Sequence, residues 1–215
     1  MFFSSSKVLI LAPHTDDMEL GCGGLVSRLT SEFASVVTCV CFSAAEESVP
    51  LNLDRDILRR EAPLAGSKLG VNPSNYNILS FPVRRFPEFR QDILDIMITF
   101  RRSCHYDLVV VPSSSDRHQD HQVIHNEACR AFKATSIIGY HFPWNCFDFS
   151  HDFIVQISRE DLDRKILSTQ CYKSQQDRKY MKPEFIESFA AYAGSLMGVS
   201  FAESFEVIRL VSRVT

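Results

Sequence analysis

Imidazoles and carboxylates, the side chains from which hydrolytic metal sites are built, gather in two short stretches of this chain. The first is Pro13-His14-Thr15-Asp16-Asp17, and the second is Asp116-Arg117-His118-Gln119-Asp120-His121. Metal hydrolases commonly hold zinc through three protein ligands and leave the fourth position to water. His14 and Asp17, three residues apart across a turn, reach one ion together, and His121 closes the set from the second stretch. Asp16, beside a ligand, is then placed as a general base toward a metal-bound water. His118 would protonate a leaving group or stabilise an oxyanion, and Asp120 would hydrogen-bond an imidazole and fix its tautomer. Two histidines and one carboxylate also define the facial triad of non-haem Fe(II) proteins, so Fe2+ stands beside Zn2+ as a candidate metal. Taken singly, each residue has a plainer use: Asp16 or Asp17 as a helix cap, His121 as a solvated side chain at a helix start.

Both stretches follow apolar runs, Val8-Leu9-Ile10-Leu11-Ala12 and Leu108-Val109-Val110-Val111, that read as buried strands. Ligands of open α/β sheets collect outside the carboxyl ends of such strands. The rest of the chain alternates in the same way. Strands are expected at 36–42, 76–82, 136–140 and 205–210, with one or two within 147–157. Helices are expected at 23–33, 53–69, 89–100, 122–132, 162–175 and 184–194, the second kinked or broken at Pro63. Strand–helix–strand units of about 30 residues predict an α/β fold, a Rossmann-like three-layer sandwich around a mostly parallel central sheet. No linker, repeat or low-complexity tract interrupts it, and 1–215 is read as a single domain.

Composition narrows the partners. Twenty-three basic and 26 acidic residues leave a net charge of −3, which gives no electrostatic footing for nucleic acid. No apolar run approaches the roughly 20 residues of a membrane span. Residues 1–7 lack the charged and apolar regions of a secretory signal, so a cytoplasmic location is expected. The seven cysteines are odd in number, scattered and without a Cys-x-x-Cys pair, as small buried hydrophobes of a reducing compartment would be. Gly21, Gly23 and Gly24 fit a tight strand-to-helix turn or a backbone that approaches a ligand closely. Their spacing supports neither a dinucleotide nor a P-loop site.

Pro-His-Thr-Asp-Asp with Gly21-Cys22-Gly23-Gly24, together with His118-Gln119-Asp120-His121, resembles the signature of the zinc-dependent PIG-L (LmbE-like) N-deacetylases. Softer likeness extends through Arg59-Arg60-Glu61-Ala62, Leu69-Gly70-Val71, Lys165, Tyr172-Lys173-Ser174-Gln175 and Phe201-Ala202-Glu203-Ser204-Phe205. The resemblance implies zinc on His14, Asp17 and His121, Asp16 as base, and His118 as acid or electrostatic stabiliser. It also implies that a zinc-bound water removes an N-acetyl group from an amino sugar or its conjugate, of the N-acetylglucosamine type. Two departures stand out. Thr15 occupies a place where the family usually has Pro, which frees a turn, and Met18-Glu19 replaces an acid followed by an apolar residue. The aromatic residues His141, Phe142, Trp144, Phe147 and Phe149 are candidates for a sugar-binding wall, a core patch or a subunit interface. Arg84 and Arg85 are candidates for a phosphate contact. A soluble small-molecule substrate is expected, and the chain is compatible with a homo-oligomer. A catalytically idle, metal-stabilised binding protein is the competing class, against which the presence of both Asp16 and His118 argues.

Overall fold

The computed structural model describes residues 6–212. The N-terminal stretch read for a signal sequence falls largely outside them. The chain runs β1 (Lys7–His14), α1 (Asp17–Ser31), β2 (Val36–Ser43), α2 (Ile57–Lys68), β3 (Tyr76–Ile78), α3 (Arg90–Ser103), β4 (Leu108–Pro112), α4 (Gln119–Ala131), β5 (Ser136–Tyr140), β6 (Phe153–Gln156), α5 (Arg159–Thr169), α6 (Pro183–Ser195) and β7 (Ala202–Arg209). Short 3-10 turns occupy 46–48, 73–75, 86–89, 173–175 and 179–181.

These strands form one seven-stranded sheet in the order β3-β2-β1-β4-β5-β7-β6. The first five pair in parallel, while β7 runs antiparallel to both β5 and β6. The predicted α/β sandwich is therefore observed. Alternate residues of β1 feed opposite layers: Val8, Ile10 and Ala12 pack with α1 and α2, on which α5 lies, and Leu9 and Leu11 with α3 and α4. A continuous apolar run on a central strand reflects that double burial.

Strand order reverses between β1 and β4, which carry the chain in opposite directions across the sheet. Val8, Leu9 and Ile10 pair with Leu108, Val109 and Val110, so the two carboxyl ends emerge side by side at this switch point.

Several local boundaries differ from expectation, among them the end of α5 at Thr169 rather than 175 and the start of α2 at Ile57 rather than 53. Helix α1 begins at Asp17, six residues before the expected start. Helix α2 continues across Pro63 without a break. The third strand pairs over three residues only, because it is an edge strand that turns away through a single bridge, Ser80 to Ser43, before Pro82.

Candidate metal centre

His14 is the last residue of β1, and Thr15-Asp16 form the turn into α1. Thr15 lacks the ring that would fix this turn, and tertiary contacts do so instead. Its buried carbonyl accepts hydrogen bonds from the hydroxyls of Tyr76, at 3.0 Å, and Tyr172. Asp16 occupies the N-cap position of α1 but makes no side-chain cap bond, which removes the plainer reading of that residue. On the neighbouring strand end, His118 caps α4 by accepting the Asp120 N–H on Nδ1 at 3.2 Å. Its proton then resides on Nε2.

Three donor atoms converge between these turns. His14 Nδ1 lies 3.4 Å from Asp17 Oδ2 and 3.4 Å from His121 Nε2, and His121 Nε2 lies 3.5 Å from Asp17 Oδ2. Tetrahedral zinc with bonds near 2.0–2.1 Å separates its ligand atoms by about 3.3–3.4 Å, so the triangle fits such an ion. The opposite nitrogen of each imidazole faces a carboxylate. His14 Nε2 contacts Asp120 Oδ2 at 3.0 Å, and His121 Nδ1 contacts Asp116 Oδ2 at 2.7 Å. Each carboxylate fixes the tautomer that turns a bare nitrogen lone pair toward the triangle. Asp120, expected to orient an imidazole, does so for His14 while also accepting the backbone N–H of Arg84 at 2.6 Å and of Phe86 at 3.2 Å. Those bonds engage both of its oxygens. The alternative donor group His14, His118 and Asp120 is correspondingly less suited to an ion. Asp116, present in the motif but given no role from sequence, is the second orienting carboxylate.

Electrostatics follow from this packing. Burial opposes a charge on His14, but its bonds to Asp120 and Asp17 outweigh that and raise its pKa to about 10. A proton therefore competes with any cation at this nitrogen. Asp17 is held below the usual carboxylate range: burial opposes this, and the neighbouring His121 and His14 overcome it. Asp16 moves the other way, pushed up by burial and by the Asp17 charge. His118 falls to about 4 through burial and the charges of His121 and His14, so it is neutral near pH 7. The exchange at Met18-Glu19 also has a structural answer. Met18 enters the core, and Glu19 is buried with its Oε1 3.4 Å from the Tyr76 hydroxyl and its Oε2 unbonded. Burial raises the Glu19 pKa well above its ordinary value, beside the tyrosines that clamp Thr15.

The three glycines neither form the turn nor touch a ligand site; they lie inside α1 and make room for neighbours. A Cβ on Gly21 would meet the Tyr140 ring at 2.4 Å, and one on Gly24 would meet Ile157 Cδ1 at 2.8 Å. The helix is broken at Cys22, whose φ of −148° is not helical. Glu203 of β7 caps the second half of α1 by accepting the Gly24 N–H at 2.9 Å and the Leu25 N–H at 2.7 Å. Lys165 of α5 bonds Glu203 at 2.6 Å and the Leu20 carbonyl at 2.8 Å, which satisfies the other side of the break. This buried pair fixes the angle at which α1 presents Asp16 and Asp17.

Beside the triangle opens a cavity of about 380 Å³, within the range of small-molecule sites. His14, Asp16, Asp17, His118 and His121 form its floor, with Ser48, Arg84, Asn145, Gln175 and Arg178 around them. The aromatic segment divides. Phe142 and Trp144 reach the wall, where Trp144 stacks on Phe142 at 4.9 Å and on Tyr180 at 4.4 Å and remains partly exposed. His141 and Phe149 stack on each other elsewhere, and Phe147 is exposed beneath the Arg117 guanidinium. Arg84 and Arg85 also part company, since Arg85 is paired with Glu88 away from the cavity. Sequence reasoning assigns no role to Gln175, Arg178 and Tyr180, which arrive on irregular chain between α5 and α6 and carry no periodic signal.

Among the described residues, no helix is long and apolar enough to cross a membrane. All seven cysteines are free, and Cys22, Cys39 and Cys41 share one core layer.

Three solved structures illustrate the likeness of the whole fold. A conserved protein from Thermus thermophilus is 25% identical, covering 97% of each chain at a TM-score of 0.81. The N,N'-diacetylchitobiose deacetylase of Pyrococcus horikoshii is 22% identical, over 94% of this chain and 84% of that one, at a TM-score of 0.78. The 4-carboxy-2-hydroxymuconate hydratase GalB of Pseudomonas putida is 18% identical, over 98% and 100%, at 0.76. A deacetylase and a hydratase on one fold mean that the fold alone does not decide the reaction. The family model described as PIG-L, GlcNAc-PI de-N-acetylase, matches residues 9–132, more than half of the chain. Because that match spans both strand ends and the helices that follow them, the chain belongs to the PIG-L family.

Proposed function

We propose that this protein is a zinc-dependent N-deacetylase that removes the acetyl group of an amino sugar or its conjugate. In this reading residues 1–215 act as one domain, in the cytoplasm, where free thiols persist. One observation carries it: a donor triangle, a carboxylate without a capping role and a neutral imidazole face the same cavity. A structural ion would need only the first of these. The triangle edges of 3.4–3.5 Å support zinc over a facial Fe(II) triad, whose cis donors at similar bond lengths would stand about 3.0 Å apart.

A divalent zinc held by His14, Asp17 and His121 would supply a Lewis acid that acidifies water and polarises a carbonyl. Asp16, its basicity raised by burial, takes a proton from the attacking water as the new C–O bond forms. His118 offers Nε2–H to the amide oxygen as negative charge develops there, and being neutral it acts as a donor rather than as an acid. Asp16 then returns the proton to the departing nitrogen, the C–N bond breaks, and acetate and a free amine result. Asp120 and Asp116 hold the two imidazoles throughout.

Acetate release from a panel of N-acetylated amino sugars tests the reading. Zinc-loaded protein should hydrolyse at least one member, and a chelator should abolish the activity. Absence of turnover on every member, with zinc bound, would overturn it.

A further inference from the structure

The cavity contains two guanidinium groups that the reaction does not use. We propose that Arg84 and Arg178 bind an anionic substituent, a carboxylate or a phosphate, on the acylated amine that enters this site. The hydrolysis part of this inference rests on the deacetylase reading; the anion site itself does not.

Neither guanidinium is hydrogen-bonded to a carboxylate. Arg84 Nη2 bonds the Ser48 hydroxyl at 2.9 Å, and Arg178 Nη1 bonds the Tyr180 hydroxyl. Hydroxyls orient a guanidinium without cancelling its charge, and each fork keeps donors free. Neighbouring arginines behave differently: Arg85 makes two bonds to Glu88, Arg59 pairs with Glu46, and Arg60 with Asp54. Among the described residues, neither Arg84 nor Arg178 forms a salt bridge, although both line the cavity.

The backbone of Arg84 is itself constrained. It adopts a left-handed conformation, φ +66°, that a side-chain-bearing residue rarely takes. The strain is held by the Arg84 N–H, bonded at 2.6 Å to the same Asp120 carboxylate that orients His14. The Arg84 backbone is thus tied to the carboxylate that orients His14, and its exposed side chain lines the cavity beside the triangle. Arg178 lines the same cavity, close enough to Asp16 to feel its charge.

Zinc-loaded full-length protein should be assayed on N-acetylglucosamine, its 1- and 6-phosphates, and N-acetylmuramic acid, which carries a carboxylate. At least one anionic substrate should exceed the neutral sugar in kcat/KM by about tenfold or more, the scale of a charge-assisted hydrogen bond. Arg84→Gln and Arg178→Gln should each collapse that ratio, and Arg85→Gln should preserve it. The phosphate and carboxylate arms identify the anion. Equal kcat/KM for neutral and anionic sugars would overturn the inference and leave the deacetylase reading standing. If no sugar is hydrolysed, inorganic phosphate titrated against the fluorescence of Trp144, the single tryptophan, decides the matter. Saturable quenching weakened by both Gln variants supports the anion site. Quenching that is absent, or unchanged in the variants, overturns it.

Discussion

Asp116→Asn isolates the contribution of a carboxylate that supplies no donor atom to the triangle and does not line the cavity. Asp116 is buried, with Oδ2 2.7 Å from His121 Nδ1 and 3.4 Å from Asn145 Nδ2, and Oδ1 2.9 Å from the His118 N–H. All three neighbours donate, so the site requires two acceptor oxygens. An amide supplies one oxygen and an NH2 group. If the oxygen faces His121, the His118 N–H meets a donor and is stranded, at a cost of about 1–3 kcal/mol in stability. If the NH2 faces His121, the imidazole must shift its proton to Nε2, which points at the triangle and blocks coordination. Either arrangement weakens the ligand set, and losses of orienting carboxylates usually cost about 10–100-fold in metal affinity, or about 1.4–2.7 kcal/mol. Competition with a chromophoric zinc chelator at fixed pH measures the affinity, and circular dichroism establishes that the variant is folded. A zinc affinity within about twofold of the parent in a folded variant, well short of that loss, would refute the orienting role of Asp116 and weaken the case for His121 as a ligand.

Other residues give further expectations. Tyr172→Phe removes one of two hydroxyls on the Thr15 carbonyl; it should cost about 1 kcal/mol in stability and lower kcat more than it changes KM, with zinc content retained. A parallel loss of zinc would point to collapse of the turn rather than displacement of Asp16. Lys165→Met strands the buried Glu203 carboxylate and the Leu20 carbonyl, and chemical denaturation should show a loss of about 3–5 kcal/mol; an unchanged midpoint would contradict the role given to the break in α1. In protein stripped of metal, the folded state holds the His14 proton up to about pH 10, whereas the unfolded chain releases it near its ordinary 6.5. The stabilisation is complete below 6.5 and vanishes as pH rises to about 10, a loss of the order of a few kcal/mol in thermal denaturation. Calorimetry at neutral pH should accordingly show a proton released as zinc binds.

Much of this was legible in the chain because the strongest signals are local. Apolar runs on β1 and β4 are buried on both faces, and the polar cluster after each marks a strand end. Parallel pairing then places those ends together without further information. The start of α1 is hidden in the sequence because Gly21, Gly23 and Gly24 resemble a turn, whereas they admit Tyr140, Lys165 and Glu203 against the helix. Thr15 suggests a loosened turn for a related reason: its restraint comes from Tyr76 and Tyr172, distant in sequence. Lys165 and Glu203 stand out only by resemblance, since a break in a helix and its two-residue repair carry no periodicity. Arg178 and Tyr180 reach the cavity from irregular chain and a 3-10 turn, where position is set by tertiary contact alone.

The account turns on Asp16 as the base beside a zinc held by His14, Asp17 and His121. Its most direct test is acetate release by zinc-loaded parent and Asp16→Asn protein, with the zinc content of both determined in the same samples. The account predicts equal zinc in the two proteins and turnover lower by about 10²–10⁴-fold in the variant. Undiminished turnover by Asp16→Asn at equal zinc content would contradict it.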